Sequence, residues 1–478
     1  MRFFTALLCL LLPTISAFAV SLPPVIGNHM VLQRDLPVPI WGWGEKGEKI
    51  TVSFAGQSKS ATVGKNGKWM LKLDKLKANT KPSNLTVKGN NEIKLENILV
   101  GEVWICSGQS NMEWKVAQCA NGKEEIAAAN HSAIRLFDVP GHTVHPLPQD
   151  KGKGEWKVCS PSTIASFSAT GYYFGRRLHK ELNIPIGLVG SNWGGTRIEP
   201  WTTLDGFKSV PELSEQAKSV AAYTADKKVG GASPSAIYNS MVHPLTPYAM
   251  RGAIWYQGES NSNRAHAYRD VFPLMIQSWR DAWKQGDFSF YWVQLADFQN
   301  EQDEPISENW PELREAQTFT LDKLKNVGEA VIIDVGEGRD IHPRNKQTVA
   351  NRLLRNALAK DYGYDLPHQS PRYKDMQIQG SKVTVNFDHV GAGLYCFDTR
   401  EPVGFAICGE DQKFVWADAK LIGKDRVEVW SDQIKEPVAV RYAWMNNPVC
   451  NLFRKDGSVT LPVTPFRTDD FPMITKGQ

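Results

Sequence analysis

Beyond its opening residues the chain has no apolar run approaching the ~18–20 residues that spanning a bilayer requires, so no later segment reads as a membrane helix. It also lacks a basic block with interleaved aromatics. With a formal charge of +4 over 478 residues, that leaves no electrostatic footprint for nucleic acid. Its seven cysteines fall at no spacing that suits zinc, and no metal or other cofactor is expected. No internal repeat or low-complexity tract appears, which sets aside a solenoid or a disordered linker. What remains is ordinary for a soluble globular protein: 42% hydrophobic and 22% charged residues, in a chain too long for a single core.

The first residues, Met1-Arg2 followed by apolar Phe3–Leu12 and then Ala17-Phe18-Ala19, have the order of a secretory signal: a cationic start, an apolar stretch and a small-x-small cleavage site. Residues 1–19 are therefore expected to be a leader, and the mature protein to be exported, periplasmic or extracellular. Removing Cys9 leaves Cys106, Cys119, Cys159, Cys396, Cys408 and Cys450, an even number that permits disulfides in an oxidising compartment. Cys396 and Cys408 are close enough in sequence to bracket a hairpin.

Three textures follow. Residues 20–97 alternate with period two, as in Ile50-Thr51-Val52-Ser53-Phe54, and Lys65-Asn66-Gly67 predicts a hairpin joining Ser60–Val63 to Trp69–Leu73. Residues 98–365 alternate apolar strands with amphipathic helices. The strand-like runs are Ile98–Cys106, Ile134–Val139, Ile186–Gly190, Gly252–Tyr256, Phe288–Leu295 and Ala330–Val335. Tyr268, Phe272, Ile276, Trp279 and Trp283 share one helical face, as do Val349, Leu353 and Ala357. This is the pattern of an α/β domain with a mostly parallel sheet, whose ligands bind beyond the carboxyl ends of the strands. Residues 366–478 return to alternation, as in Val383–Phe387 and Val427–Trp430, and predict a second β domain.

Four segments at strand ends carry chemistry. Gly108-Gln109-Ser110-Asn111-Met112 turns sharply enough to present a serine hydroxyl at a sheet edge. Ser191-Asn192-Trp193-Gly194-Gly195-Thr196 leaves backbone N–H groups unshielded, which suits an oxyanion. In Trp255-Tyr256-Gln257-Gly258-Glu259-Ser260-Asn261, the Gln257 and Asn261 amides can donate and Glu259 can position a histidine. Asp340-Ile341-His342-Pro343 offers an acid and a base, and the proline holds the histidine backbone extended. Each has a structural reading as a plain turn or polar loop; together they supply a nucleophile, a base, an acid and oxyanion donors. His389 beside Asp388, and His243, are rival histidines outside these segments.

The order of these segments, serine first and histidine last, resembles the SGNH-hydrolase superfamily, and more closely the sialate O-acetylesterases and related carbohydrate acetylesterases. The resemblance rests on Gly108–Met112, Gly194-Gly195-Thr196-Arg197-Ile198-Glu199-Pro200-Trp201, Trp255–Glu259, Asp340–Pro343 and a tail running from Arg441-Tyr442-Ala443-Trp444 to Pro465-Phe466-Arg467-Thr468-Asp469. It implies a flavodoxin-like three-layer α/β hydrolase domain flanked by the two all-β domains, removing O-acetyl groups from sugars. On that basis Ser110 is the nucleophile and His342 the base. The oxyanion donors are the Ser110 N–H, the Gly194 N–H (Gly195 the alternative) and the Gln257 amide. The superfamily's usual acid lies three residues before the histidine, where this chain has Arg339. Asp340 fits the Asp-x-His spacing of the sialate-esterase branch, and Glu259 is the rival acid. Trp193, Arg197 and Asn261 are expected to meet the substrate, with Arg197 suited either to a sialic-acid carboxylate or to a structural salt bridge. Acetylated polysaccharide such as xylan is the alternative substrate. A non-catalytic carbohydrate-binding protein is the alternative of another class, and no long apolar loop suggests a lipase.

Overall fold

The computed structural model describes residues 19–457 and 459–477. The expected leader, residues 1–19, lies almost wholly outside them. Its central sheet contains β1 (Glu92–Gly108), β2 (His131–Asp138), β3 (Trp156–Cys159), β4 (Ile186–Asn192), β5 (Gly252–Tyr256), β6 (Ser289–Val293) and β7 (Val327–Ala330). They lie in the order β7-β6-β5-β1-β4-β2-β3, all parallel except the β2–β3 pair at one edge. From β1 the chain builds β2 and β4 on one side, then crosses to β5, β6 and β7 on the other. The carboxyl end of β1 is thus the topological switch point, where sheets of this kind bind ligands.

Side-chain alternation explains why both faces of this sheet are covered. Val103, Ile105, Val189, Ala253, Trp255, Phe290 and Trp292 point into one apolar cluster, with the helix Ala265–Trp283. Their neighbours Trp104, Cys106, Leu188, Ile254, Tyr256, Tyr291 and Val293 point into another, with the helices Ala169–Leu182 and Lys346–Lys360. A third cluster holds Val383, Val385, Phe387, Val427 and Val429 from the C-terminal strands.

Three local expectations are corrected. The turn at Lys65–Gly67 forms, closed by Gly64 N–H donating to Lys68 O at 2.8 Å. Its flanking strands do not pair with each other, because Gln57–Thr62 joins Lys49–Phe54 while Lys68–Leu73 joins Val38–Trp43. The run Ala330–Val335 is not a strand: β7 ends at Ala330, and Val331–Ile333 continue as buried coil feeding two different clusters. The six cysteines are free thiols, with Cys396 and Cys408 on strands of different sheets. In addition, β1 runs through residue 97 without a break, pairing first with Asn79–Lys88 and then with β4 and β5. One strand therefore ties the N-terminal β region to the parallel sheet.

Candidate active site

Gly108 ends β1 at a φ of +141°, and a Cβ there would sit 2.1 Å from Tyr256 O. Only glycine lets β1 and β5 finish this close together. The next peptide is pinned from both ends, since Gln109 N–H donates to Tyr256 O at 2.9 Å. The Gln109 side-chain oxygen in turn accepts from Gly258 and Ser260 N–H, each at 3.3 Å. Ser110 then opens a one-turn helix, Ser110–Glu113, so its own N–H has no partner within that helix.

His342 reaches Ser110 from the loop after β7. Its Nε2 lies 2.9 Å from Ser110 Oγ. Asp340 holds the histidine twice: its Oδ1 accepts the His342 backbone N–H at 2.9 Å and lies 3.4 Å from ring Nδ1. The Trp114 indole stacks on the imidazole, centroids 4.5 Å apart and planes 16° apart. A serine, an imidazole and a carboxylate thus meet in sequence, with the ring fixed against an aromatic plate.

Glu259, the rival acid, points elsewhere. Its carboxylate accepts from Asn111 Nδ2 at 2.6 Å, and burial pushes its pKa up. Asn111 also donates to Ile341 O at 3.0 Å and accepts from the Lys346 ammonium, so one amide joins the serine turn, the histidine loop and the following helix. Lys346 is fully buried, and burial pushes it down to about 7, opposed by Glu259. It lies over the rings of Tyr256 and Trp114 at 5.2 and 5.9 Å. His342 is held below its usual value, first by burial and then by the Lys346 cation, with Asp340 opposing.

The expected oxyanion side is arranged differently. Gln257 is fully buried, and its Nε2 donates to Thr196 O at 3.2 Å and to Asn261 Oδ1 at 2.8 Å. Its oxygen accepts from Tyr268 OH at 2.8 Å. Both amide hydrogens are engaged, so the side chain braces the loop rather than presenting a donor to Ser110. Asn261 is corrected for the same reason: it is buried and bonded to Ile198 N–H, Gln257 and Glu199. Gly194 does lie beside Ser110, since a Cβ built on it would be 3.2 Å from Ser110 Cβ. Its N–H, however, donates to Glu113 Oε2 at 2.7 Å. The other Glu113 oxygen is 3.0 Å from His142 Nε2, and the His142 ring stacks on Trp193 at 4.8 Å and 6°.

Arg197 is exposed, with no hydrogen bond or ion pair among the described residues. Of the tryptophans near the motifs, Trp104, Trp201 and Trp255 are core, while Trp114 and Trp193 are half-buried at the site. The rival histidines stand in other company: His243 faces Asp150 at 3.8 Å, and His389 O accepts from Arg454. Sequence reasoning missed Glu113, Lys346 and His142. Glu113 left a helical signal, one turn after Ser110, and Lys346 is the first residue of the helix that follows the His342 loop. His142 left none, because it sits in an irregular loop.

This geometry sits in a segment that known proteins share. Residues 100–360 match the model of the carbohydrate esterase family described as sialic acid-specific acetylesterase. The chain belongs to that family. Human sialate O-acetylesterase is 30% identical over 92% of this chain and 91% of its own length. The mouse sialate O-acetylesterase is also 30% identical, over 92% of this chain and 93% of its own. Among solved structures, a carbohydrate acetylesterase from Xanthomonas citri is 38% identical with a TM-score of 0.85, covering 95% of this chain and all of that one. The family points to an esterase with a sugar substrate, and no described helix is long and apolar enough to cross a membrane.

Proposed function

We propose that this member of the acetylesterase family removes acetyl groups from sugars through a serine acyl-enzyme, with O-acetylated sialic acid as the substrate. The observation that carries this reading is the 2.9 Å contact between Ser110 Oγ and His342 Nε2, made by residues 232 positions apart. Packing at the switch point of the sheet is what brings them together.

In this mechanism Ser110 Oγ attacks the acetyl carbonyl carbon while its proton passes to His342 Nε2. The tetrahedral intermediate collapses by breaking the bond to the sugar oxygen, which leaves with the proton from His342. Water then attacks the acetyl-serine, His342 takes its proton, and acetate departs as Ser110 recovers it. Asp340, against Nδ1, fixes the tautomer and stabilises the imidazolium formed at each step. Because burial and Lys346 hold His342 down, the ring stays neutral and able to accept a proton through neutral pH. The Ser110 and Gly194 N–H groups are the proposed oxyanion donors.

Exposed Arg197, free of protein partners among the described residues, is the group proposed to meet the sialic-acid carboxylate. A second reading is acetylated plant polysaccharide such as xylan, since the similar Xanthomonas structure is described only as a carbohydrate acetylesterase, without a sialic-acid substrate. The proposal also includes export after loss of residues 1–19, and a three-layer hydrolase domain over residues 98–365 between two β domains. Acetate release from O-acetylated sialic acid, measured beside acetylated xylan, tests it with Ser110→Ala as control. Serine-dependent release from the sialic acid is expected. Release only from xylan overturns the substrate, and release that survives Ser110→Ala overturns the mechanism.

A further inference from the structure

The Gly194 N–H is the natural second donor to an oxyanion at Ser110, yet it holds a carboxylate. Glu113 leaves the same one-turn helix that presents the nucleophile, and its Oε2 accepts from Gly194 at 2.7 Å. An acetyl oxygen cannot take that N–H while Glu113 keeps it. A carboxylate is also a strong competitor, because a charge-assisted bond is roughly twice as strong as a neutral one. The contact is not isolated. Glu113 Oε1 meets His142 Nε2 at 3.0 Å, and the His142 ring lies flat on Trp193, the residue immediately before Gly194. The chain Gly194–Glu113–His142–Trp193 therefore closes on itself around the oxyanion position.

Its outer end is the accessible one. His142 is exposed, on an irregular loop after β2, whereas Glu113 and Trp193 are half-buried. The indole face that His142 covers is flat and apolar, with charged and polar groups beside it, which is the surface a pyranose ring stacks on. A sugar and His142 cannot share that face.

Building on the acetylesterase reading, we propose that Glu113, His142 and Trp193 form a specificity latch, in which a sugar ring stacking on Trp193 displaces His142, loosens Glu113 and frees the Gly194 N–H for the acetyl oxyanion. A bound glycan thereby completes the oxyanion hole, while a small ester that cannot reach Trp193 meets it half-closed. Binding energy from a remote part of the substrate is converted into turnover at the reacting centre. Glu113 and His142 act here through Gly194, as positioning residues.

The test compares kcat/KM for p-nitrophenyl acetate and for an O-acetylated sugar in wild type, His142→Ala and Glu113→Gln. His142→Ala removes an exposed loop side chain, so its folding is not at issue, and Glu113→Gln keeps the shape while removing the charge. Both variants are expected to raise kcat/KM on p-nitrophenyl acetate by about threefold to tenfold, the scale of weakening one hydrogen bond. For the small ester the gain should appear in kcat, whereas for the sugar ester, which opens the latch on binding, it should appear as a lower KM with kcat unchanged. If both substrates fall in parallel, or if kcat for the small ester does not rise while KM for the sugar ester does not fall, Glu113 only braces the Gly194 turn and the latch is overturned. That failure is distinct from failure of the esterase reading, which shows in wild type as turnover indifferent to Ser110→Ala.

Discussion

The two sides of Ser110 are built on opposite plans. On the His342 side everything is in place: the ring is within hydrogen-bond reach of Ser110 Oγ, fixed by Asp340 and stacked on Trp114. On the Gly194 side the donors are occupied, Gly194 by Glu113 and Gln257 by Thr196 and Asn261. The difference follows from what each group must do. A base that moves a proton gains from being held in one orientation at all times. A donor for a transient oxyanion does its work only in the transition state, so a ground-state partner there sets a threshold that the right substrate has to cross.

Changes on the assembled side should hurt most. Ser110→Ala removes the proposed nucleophile, and acetate release should fall by about 10⁴-fold or more in a steady-state assay. Asp340→Asn keeps the shape but loses the charge proposed to fix and stabilise the imidazolium, and a loss of about 10²–10⁴-fold in kcat is expected. Glu259→Gln should cost far less than Asp340→Asn in the same assay, since Glu259 bonds to Asn111 and not to the histidine. Equal losses would reverse the assignment of the acid.

A subtler change tests how the assembled side is tuned. His342 is held low by burial and by Lys346, and Lys346, itself at about 7, is charged in the acidic range where His342 titrates. Activity should therefore rise with pH through a midpoint below the ~6.5 of an ordinary histidine and then level off. Removing the cation with Lys346→Met should move that midpoint up, whereas Asp340→Asn should move it down. The readout is the acid limb of kcat/KM against pH, and a midpoint indifferent to Lys346→Met would break the proposed coupling.

Legibility in the sequence follows the same division. The geometry of Gly108–Asn111 and Asp340–His342 could be read because its requirements are local: a glycine at a positive φ, a serine at a helix start, an aspartate two residues before a histidine. The choice between Asp340 and Glu259 was not local, since both follow strands, and only packing shows which carboxylate faces the ring. Gln257 was expected as an oxyanion donor, but nothing in its neighbourhood announces Thr196, Asn261 and Tyr268 as its partners. The parallel sheet was legible from buried apolar runs, whereas the turn at Lys65–Gly67 was legible and the pairing of its strands was not. Pairing is a contest among distant strands, and Val38–Trp43 outcompeted the nearer candidate.

The central claim, that Ser110 carries the acetyl group between the sugar and water, is tested most directly by rapid acid quench during turnover of an activated acetyl ester, followed by peptide mass mapping. The account predicts a mass increment of one acetyl group on the peptide holding Ser110, absent from Ser110→Ala. An active enzyme that shows no increment there, or shows it on another side chain, would contradict it.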